Sequence, residues 1–335
     1  MPSRVTAIRP RWAIEGGRIT VAGTDFPVDR SELPEVRIGD ARARVVYASP
    51  TAISAIVPAG LEGGPTPVRI DGVAGETGFI DVAAPLATGL HQVDNPVFDR
   101  DGSLYVTYSG TRGQQVPVSI FRVRHNGTRE TFSSGIVNPT SMALDAEGRL
   151  YVSSRFEGTV YRIGPGGTSE PFASDLGVAC GLAFAPDGTM IVGDRSGTLF
   201  RVDRAGQATA FASLPPSVAA FHLAIGPDHA VYVTGPTLST YDAIYRVDLD
   251  GAVTTRHAGF GRPQGLAFDA TGMLFVVEAL AGASGLYRLP PDGPPELMLA
   301  GPELVGVAFD PLGGVVVCSN ETVYRLARDR RGVLA

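Results

Sequence analysis

The stretch GLAFAPDGTMIVGDRSGTLFRV, residues 181–202, decides the fold because near copies of it return along the chain. GLAFDATGMLFVVEALAGASGLYRL begins at Gly265, and GVAFDPLGGVVVCSNETVYRL begins at Gly306. Each copy indicates two short strands joined by a tight turn and followed by a third strand. Its apolar runs are rich in β-branched and aromatic residues and are bounded by glycine and aspartate. The sequence therefore predicts a repeat protein built from β-strands.

Six copies can be aligned on the turn between the first two strands, with spacings of 40 to 46 residues. The aligned positions are Gly102, Gly148, Gly188, His229, Gly272 and Gly313. A period of about 40 to 50 residues with strands and no helix is typical of a β-propeller. A fourth strand follows each of the first five copies but not the sixth. APLATGL, residues 84–90, matches the fourth-strand pattern, and we predict that it completes the last blade and closes the ring.

Residues 1–82 do not carry the repeat. Their short alternating strands, separated by Gly, Pro and Asp turns, predict a small immunoglobulin-like β-sandwich. The expected fold is therefore all-β: a small sandwich over residues 1–82, followed by a six-bladed β-propeller over residues 84–335.

Composition excludes several classes of function. The chain of 335 residues has a net charge of −6, which argues against a nucleic-acid partner because phosphate binding needs clustered positive charge. All 28 basic residues are arginine, so Schiff-base chemistry and a P-loop lysine are excluded. No apolar run approaches the roughly 18 residues that a membrane helix needs. The expected partner is a small molecule, with no nucleic acid and no membrane.

The N-terminus and the cysteines give expectations about the cellular compartment of the protein. As written, the sequence has no signal-peptide pattern and predicts a cytoplasmic protein, whereas removal of a leader before Met1 would place it outside the cytoplasm. Cys180 and Cys318 lie far apart in the repeat and suggest free thiols rather than a disulfide framework.

Propeller geometry places the candidate site at one mouth of the central channel. Residues just before first strands and residues that end second strands must meet there. Acidic side chains and a histidine at such a mouth could perform acid/base chemistry or coordinate a hard metal ion. The candidate catalytic residues are Glu278, Asp194 and His222. The candidate substrate-binding residues are Arg155, Arg195, Cys180, Gln264 and Asn320.

Structural roles are open for the same side chains. Asp194 and Glu278 could instead cap turns by accepting hydrogen bonds from backbone amides, and His222 could be a buried histidine with satisfied hydrogen bonds. Asp99, Asp145, Asp269 and Asp310 recur before the turn at the opposite end and are expected to be structural.

Residues 1–82 resemble the IPT/TIG family of immunoglobulin-like domains. The resemblance lies in Ile8 and Pro10, in Gly16 and Gly17 before ITVAGTDF, and in the stretches VRIGD and ASPTAISAIVP. It implies a structural or interaction module that mediates protein contacts.

Residues 84–335 resemble the SMP-30/gluconolactonase/LRE-like family and its NHL-repeat relatives. The GLAF-type first strand, the Asp-Gly turn, the LYV second strand and the VYR third strand carry this resemblance. It implies a hydrolase-like activity on a lactone or ester, and one divalent cation, calcium or zinc, on four channel ligands. Asp94 occupies the first ligand position, but the other three hold Thr140, Cys180 and Phe221. These three residues depart from the oxygen ligands that a hard cation prefers.

Three functions remain open from the sequence. The first is action on a small molecule at the channel mouth. The second is a non-catalytic, NHL-type platform that binds a ligand or a protein. The third is a metal-free enzyme resembling the strictosidine-synthase-like propellers, with Glu278 as general acid/base under the apolar loop ALAGASG.

Overall fold

The computed structural model describes residues 3–28, 33–73, 78–279 and 284–326. In these residues the secondary structure consists of β-strands, with no helix. Accordingly, the described chain has no helix of the length and apolarity needed to cross a membrane. The predicted all-β class, a propeller preceded by an immunoglobulin-like domain, is confirmed.

Two sheets face each other in the N-terminal domain. One contains β1, β3, β6 and the second half of β5, and the other contains the first half of β5 with β4, β7, β8 and β2. Alternate residues such as Ile19, Val21 and Ile53 are buried between the sheets, because successive side chains of a strand point to opposite faces. The strands are β1 (Arg4–Arg9), β2 (Trp12–Ala13), β3 (Arg18–Thr24), β4 (Val36–Ile38), β5 (Ala41–Ser49), β6 (Ala52–Ile56), β7 (Gly64–Ile70) and β8 (Gly78–Val82).

Six four-stranded antiparallel blades follow, and the first strands of neighbouring blades pack side by side around a channel. The closing strand is β9 (Ala84–Thr88). Blades 1 to 3 are β10 (Val97–Phe98), β11 (Leu104–Thr107), β12 (Ile120–Val123), β13 (Arg129–Ser133); β14 (Pro139–Leu144), β15 (Leu150–Ser154), β16 (Thr159–Ile163), β17 (Ser169–Ala173); and β18 (Ala179–Phe184), β19 (Met190–Asp194), β20 (Thr198–Val202), β21 (Ala208–Ser213).

The other three blades repeat this plan, and the last takes its fourth strand from β9. Blades 4 to 6 are β22 (His222–Ile225), β23 (Val231–Thr234), β24 (Asp242–Val247), β25 (Val253–Phe260); β26 (Pro263–Phe268), β27 (Leu274–Glu278), β28 (Gly285–Leu289), β29 (Glu296–Ala300); and β30 (Leu304–Phe309), β31 (Val315–Ser319), β32 (Thr322–Arg325) with β9.

The aligned turn positions share one backbone conformation. All six have positive φ, for example 86° at Gly188 and 64° at His229. Glycine adopts this conformation without steric cost, which explains why it fills five of the six positions. The aspartate before the turn accepts backbone hydrogen bonds, as Asp145 does from the N–H groups of Glu147 (3.0 Å) and Arg149 (2.9 Å). These aspartates have the structural role that the sequence suggested.

The ring is closed by β9 and by one asparagine. β9 pairs antiparallel with β32, so Ala87 lies opposite Val323 in the last blade. Asn95, just before blade 1, donates from Nδ2 to the carbonyl of Leu266 in blade 5 (2.8 Å). Its Oδ1 accepts the N–H of Val307 in blade 6 (2.9 Å). The seam of the propeller is therefore held by backbone pairing outside and by side-chain hydrogen bonds beside the channel.

A two-residue strand joins the two domains. β2 pairs in parallel with β8 of the sandwich and with β29 of blade 5. Trp12 packs in the core of blades 5 and 6, whereas Ala13 packs in the core of the sandwich. Because neighbouring residues of a strand point to opposite faces, the strand contributes to both cores at once. One twelve-stranded sheet consequently runs from the sandwich into the propeller.

Candidate functional site

A cavity of ≈ 560 Å³ opens at one mouth of the propeller channel, and every blade contributes to its wall. The same backbone link forms part of the wall in three blades: the N–H after the second strand donates to a carbonyl before the first strand. It joins Arg155 to Asn138 (3.3 Å), Arg195 to Val178 (3.1 Å) and Ala279 to Arg262 (3.1 Å). The link places the side chains of these residues at the mouth, where the sequence predicted that strand ends would meet.

Four arginines line the cavity: Arg112, Arg155, Arg195 and Arg262. In the part of the chain that the structure describes, none of them forms an ion pair with a carboxylate. Glu303 is the one acidic residue of the described wall. The mouth is therefore cationic although the protein as a whole has a net charge of −6.

Arg155 experiences this concentration of charge most directly. Burial lowers the pKa of its guanidinium below the usual value, the nearby Cys180 sulfur acts in the opposite direction, and the positive charges of Arg195 and Arg112 lower it further. A charged group whose folded-state pKa is shifted towards neutrality is held at a cost in free energy. An anion beside Arg155 would offset that cost.

The floor of the cavity is a buried hydrogen-bonded chain that crosses the channel. Asp94 precedes blade 1 and His222 begins blade 4, and these blades face each other in a ring of six. Nδ1 of His222 lies 2.6 Å from Oδ1 of Asp94, and Nε2 lies 3.0 Å from Oε1 of Gln264 in blade 5. Asp94 and His222 are 2% and 0% exposed. The channel is thus blocked directly beneath the cavity.

The predicted binding residues divide into two groups. Arg155, Arg195, Gln264 and Asn320 all line the cavity. Cys180 does not: it is fully buried, and burial raises the pKa of its thiol to about 12. A thiol of that pKa is protonated at neutral pH and is a poor nucleophile.

Both carboxylate oxygens of Asp194 accept hydrogen bonds from residues of its own blade. Its Oδ1 accepts the N–H groups of Val178 (2.8 Å) and Ser196 (3.2 Å), and its Oδ2 accepts the Ser196 hydroxyl. These bonds hold the loop after β19 against the start of blade 3. Of the two roles that the sequence left open, the structure therefore gives Asp194 the contacts of a turn cap.

Glu278 ends β27 and is fully buried. Its Oε1 accepts the N–H of Arg262 (2.8 Å), and the next residue, Ala279, lines the cavity. The carboxylate is therefore one residue behind the wall. Residues 280–283 of the apolar loop that was expected to cover it lie outside the described residues.

Comparison with known proteins gives different results for the two parts of the chain. Residues 3–80 match the model of the IPT/TIG domain. The N-terminal domain is an IPT/TIG domain. No curated protein matches the sequence.

Solved structures share the fold at low sequence identity. An auxiliary nutrient binding protein from Bacteroides ovatus is 16% identical, with a TM-score of 0.58 and 98% of both chains covered. A gluconolactonase from Xanthomonas campestris is 16% identical, with a TM-score of 0.60 over 72% of this chain and 88% of its own. A catalytically inactive virginiamycin B lyase from Staphylococcus aureus, solved with quinupristin, is 14% identical, with a TM-score of 0.54 over 88% of this chain and 100% of its own. The predicted likeness to gluconolactonase-type propellers is confirmed at the level of the fold.

The residues at the family's four metal-ligand positions do not fit a hard cation. Oδ1 of Asp94 is already bonded to His222 and to the N–H of Asn95 (2.7 Å). The Thr140 hydroxyl donates to the carbonyl of Asn138 (3.0 Å), and the ring of Phe221 packs against the backbone of Gly235. Within the described ranges, no three His, Cys, Asp or Glu side chains form a group that could hold a metal ion.

Sequence reasoning missed two of the four arginines. Arg262 lies two residues before Gln264, in the column that holds Asn138 and Val178, so alignment of that column could have found it. Arg112 lies in the connection between β11 and β12, residues 108–119, which is longer than the equivalent connection in the other blades, for example residues 155–158 in blade 2. No repeat pattern identifies a residue in such a connection.

The IPT/TIG domain stands apart from the cavity. None of its described residues lines the cavity wall, which begins at Gln92. Its contacts with the propeller include β2 on the outer strand of blade 5 and a hydrogen bond from the Tyr324 hydroxyl to Glu15 (3.5 Å). The candidate site therefore belongs to the propeller alone.

Proposed function

We propose that the propeller binds a small anionic molecule at the channel mouth, with Arg155 and Arg195 as its principal contacts. The observation that carries this proposal is the group of four arginines without carboxylate partners among the described residues, around one cavity of ≈ 560 Å³. Arginine presents a planar fork of N–H donors that matches a carboxylate or phosphate.

The rest of the wall indicates that the ligand also has an apolar part. Phe156, Val178, Val218 and Val305 line the same cavity. Small-molecule sites typically combine such apolar walls with a few polar groups that fix orientation. The fold also supports a binding role, since the Bacteroides ovatus protein with the same two-domain fold is an auxiliary nutrient binding protein.

Three molecules of similar shape and different charge test the proposal: benzoate, neutral benzamide and cationic benzylammonium. We expect benzoate to raise the melting temperature and to bind in titration calorimetry, with affinity falling as salt screens the arginines. Phenyl phosphate and citrate extend the series to other anions. Equal effects of benzoate and benzamide, or no effect of any anion, would contradict anion binding.

A second candidate is hydrolase-like action on a lactone or ester at the same mouth. It is favoured by Glu278, a buried carboxylate one residue behind the wall and bonded to the backbone of Arg262. In this reaction Glu278 would take a proton from the water that attacks the carbonyl, and an arginine would stabilise the oxyanion that forms. The alkoxide leaving group would then receive that proton. Asp194 and His222 are given no role in it, because Asp194 holds the turn of its own blade and His222 lies beneath Gln264.

A screen of aryl esters and sugar lactones, followed by acid release at constant pH, tests this candidate. If the wild type hydrolyses a substrate, we expect Glu278→Gln to lower kcat about 100-fold or more, within the range of general-base catalysis. Glu303→Gln is the matched control, because Glu303 is the exposed acidic residue on the wall. Wild-type turnover in the Glu278→Gln variant would exclude the role of Glu278, and no hydrolysis at all would leave the binding function.

A further inference from the structure

The charge of the side chains on the cavity wall changes with depth. Arg112 and Arg195 are exposed at the rim and Arg155 and Arg262 are half-buried, whereas Gln264 at the floor is only 7% exposed. The cavity therefore has cationic groups where a ligand enters and an uncharged amide where its far end would rest.

The orientation of that amide is fixed from below. Oε1 of Gln264 faces Nε2 of His222 at 3.0 Å, and the main-chain carbonyl of Gln264 accepts the Thr234 hydroxyl (2.6 Å). Nδ1 of His222, the opposite ring nitrogen, lies 2.6 Å from Oδ1 of Asp94. With Oε1 taken by the imidazole, the amide Nε2 is the polar atom of Gln264 left to the cavity, and it has no partner among the described residues.

An acidic side chain lies beneath Gln264. Asp94 is bonded to the far nitrogen of the His222 ring, and the near nitrogen faces the Gln264 amide. A carboxylate at the deep end of the ligand would be buried close to the Asp94 side chain. Burial of an unpaired charge is strongly unfavourable.

We propose that the ligand is an organic anion with an uncharged hydrogen-bond acceptor at its other end, and that Gln264 selects for that acceptor through its Nε2 donor. The inference rests on the proposed binding of an anion at the arginines. Gln264 is the specificity-determining residue, while His222 and Asp94 are positioning residues that hold its amide. A carbonyl, ether or hydroxyl oxygen fits the acceptor position, and a second carboxylate does not.

Four aromatic carboxylates test whether the deep end selects a hydrogen-bond acceptor. They are benzoate, 4-acetylbenzoate with an acceptor, 4-isopropylbenzoate without a second polar group, and indole-5-carboxylate with only a donor. By titration calorimetry on the whole protein, we expect 4-acetylbenzoate to bind about fivefold or more tightly than 4-isopropylbenzoate, the effect of about one hydrogen bond. Preference for the donor probe would overturn the assigned amide orientation. Equal affinities would overturn the inference but leave anion binding intact, and no binding of any probe would overturn both.

Variants then assign the preference to its residues. We expect Gln264→Met, which keeps the length of the side chain, to bring the ratio of 4-acetylbenzoate to 4-isopropylbenzoate affinity to about one, because the acetyl oxygen loses its donor. The double variant Asp94→Asn, His222→Asn replaces the two residues beneath Gln264 with amides that hold its side chain differently, and should also weaken the preference for 4-acetylbenzoate. A preference that survives Gln264→Met would refute the role of Gln264 even if the double variant does not fold.

Discussion

Replacing Arg155 with methionine is expected to weaken the binding of benzoate or phenyl phosphate at least tenfold and to leave the melting temperature of the ligand-free protein unchanged or higher. A charge-assisted hydrogen bond in a partly buried site contributes about 1.5 to 3 kcal/mol, equivalent to roughly ten- to a hundredfold in affinity. Arg155 is a half-buried arginine of the cavity wall whose pKa is lowered by burial, and the described residues give it no carboxylate partner.

The stability part of this prediction follows from the sign of the pKa shift. Burial and the neighbouring arginines lower the pKa of Arg155, so the charged form is less favourable in the folded protein than in the unfolded chain. That penalty is present at every pH below the folded-state pKa, which covers the physiological range. Methionine keeps the apolar stem and removes the charge, and so removes the penalty.

Two control substitutions localise the effect. Arg112→Met, at the exposed rim, should lower affinity only two- to threefold because its charge is screened by water. Arg100→Met lies beside the opposite face of the propeller and should change nothing. Calorimetric titration measures the affinity and thermal unfolding measures the melting temperature, both on the same samples. Unaltered affinity in Arg155→Met would refute the arginine-based site.

The largest effect on stability is expected at Trp12, where alanine should lower the free energy of unfolding by about 3 to 5 kcal/mol. Trp12 is 3% exposed and packs with Phe275, Val277 and Leu299 of blade 5. The substitution removes a large buried side chain from the strand that both domains share. Urea unfolding followed by circular dichroism gives the change in midpoint.

Trp12 also provides its own optical probe, because it is the sole tryptophan of the chain. In the wild type, its fluorescence and the far-ultraviolet circular dichroism should change together if the shared strand makes the domains unfold as one. Trp12→Phe should cost far less than Trp12→Ala, since it keeps most of the apolar area and removes an indole N–H that has no hydrogen-bond partner in the described residues. Tyr47→Ala, an exposed aromatic in the same domain, is the neutral control. A loss below 1 kcal/mol in Trp12→Ala would show that the domain junction contributes little.

The repeat made most of the propeller predictable from the sequence. The turn column and the β-branched strands recur six times, so the blades can be located from local pattern. The parallel pairing of β2 could not be predicted this way. Two residues are too few to show an alternation, and their partners Leu299 and Ala300 lie far away in the sequence.

The site was predictable only where it follows the repeat. Arg155 and Arg195 come directly after second strands, so the blade plan places them at the mouth. The bond between Asp94 and His222 depends on which blades face each other once the ring is closed, and no local pattern contains that information. The use of Asp194 as a turn cap likewise depends on where the backbone N–H of Val178 comes to lie.

The positions of β2 and β9 in the sequence affect how the chain can fold during synthesis. Each of these strands is made well before its partner, since β2 pairs with β29 and β9 pairs with β32. At typical translation rates, these partners appear on the order of tens of seconds later. During that interval β9 is an unpaired strand and Trp12 lacks its propeller core, so both are exposed to misassociation. The propeller and its junction with the sandwich therefore reach their final pairing only once blades 5 and 6 have been made.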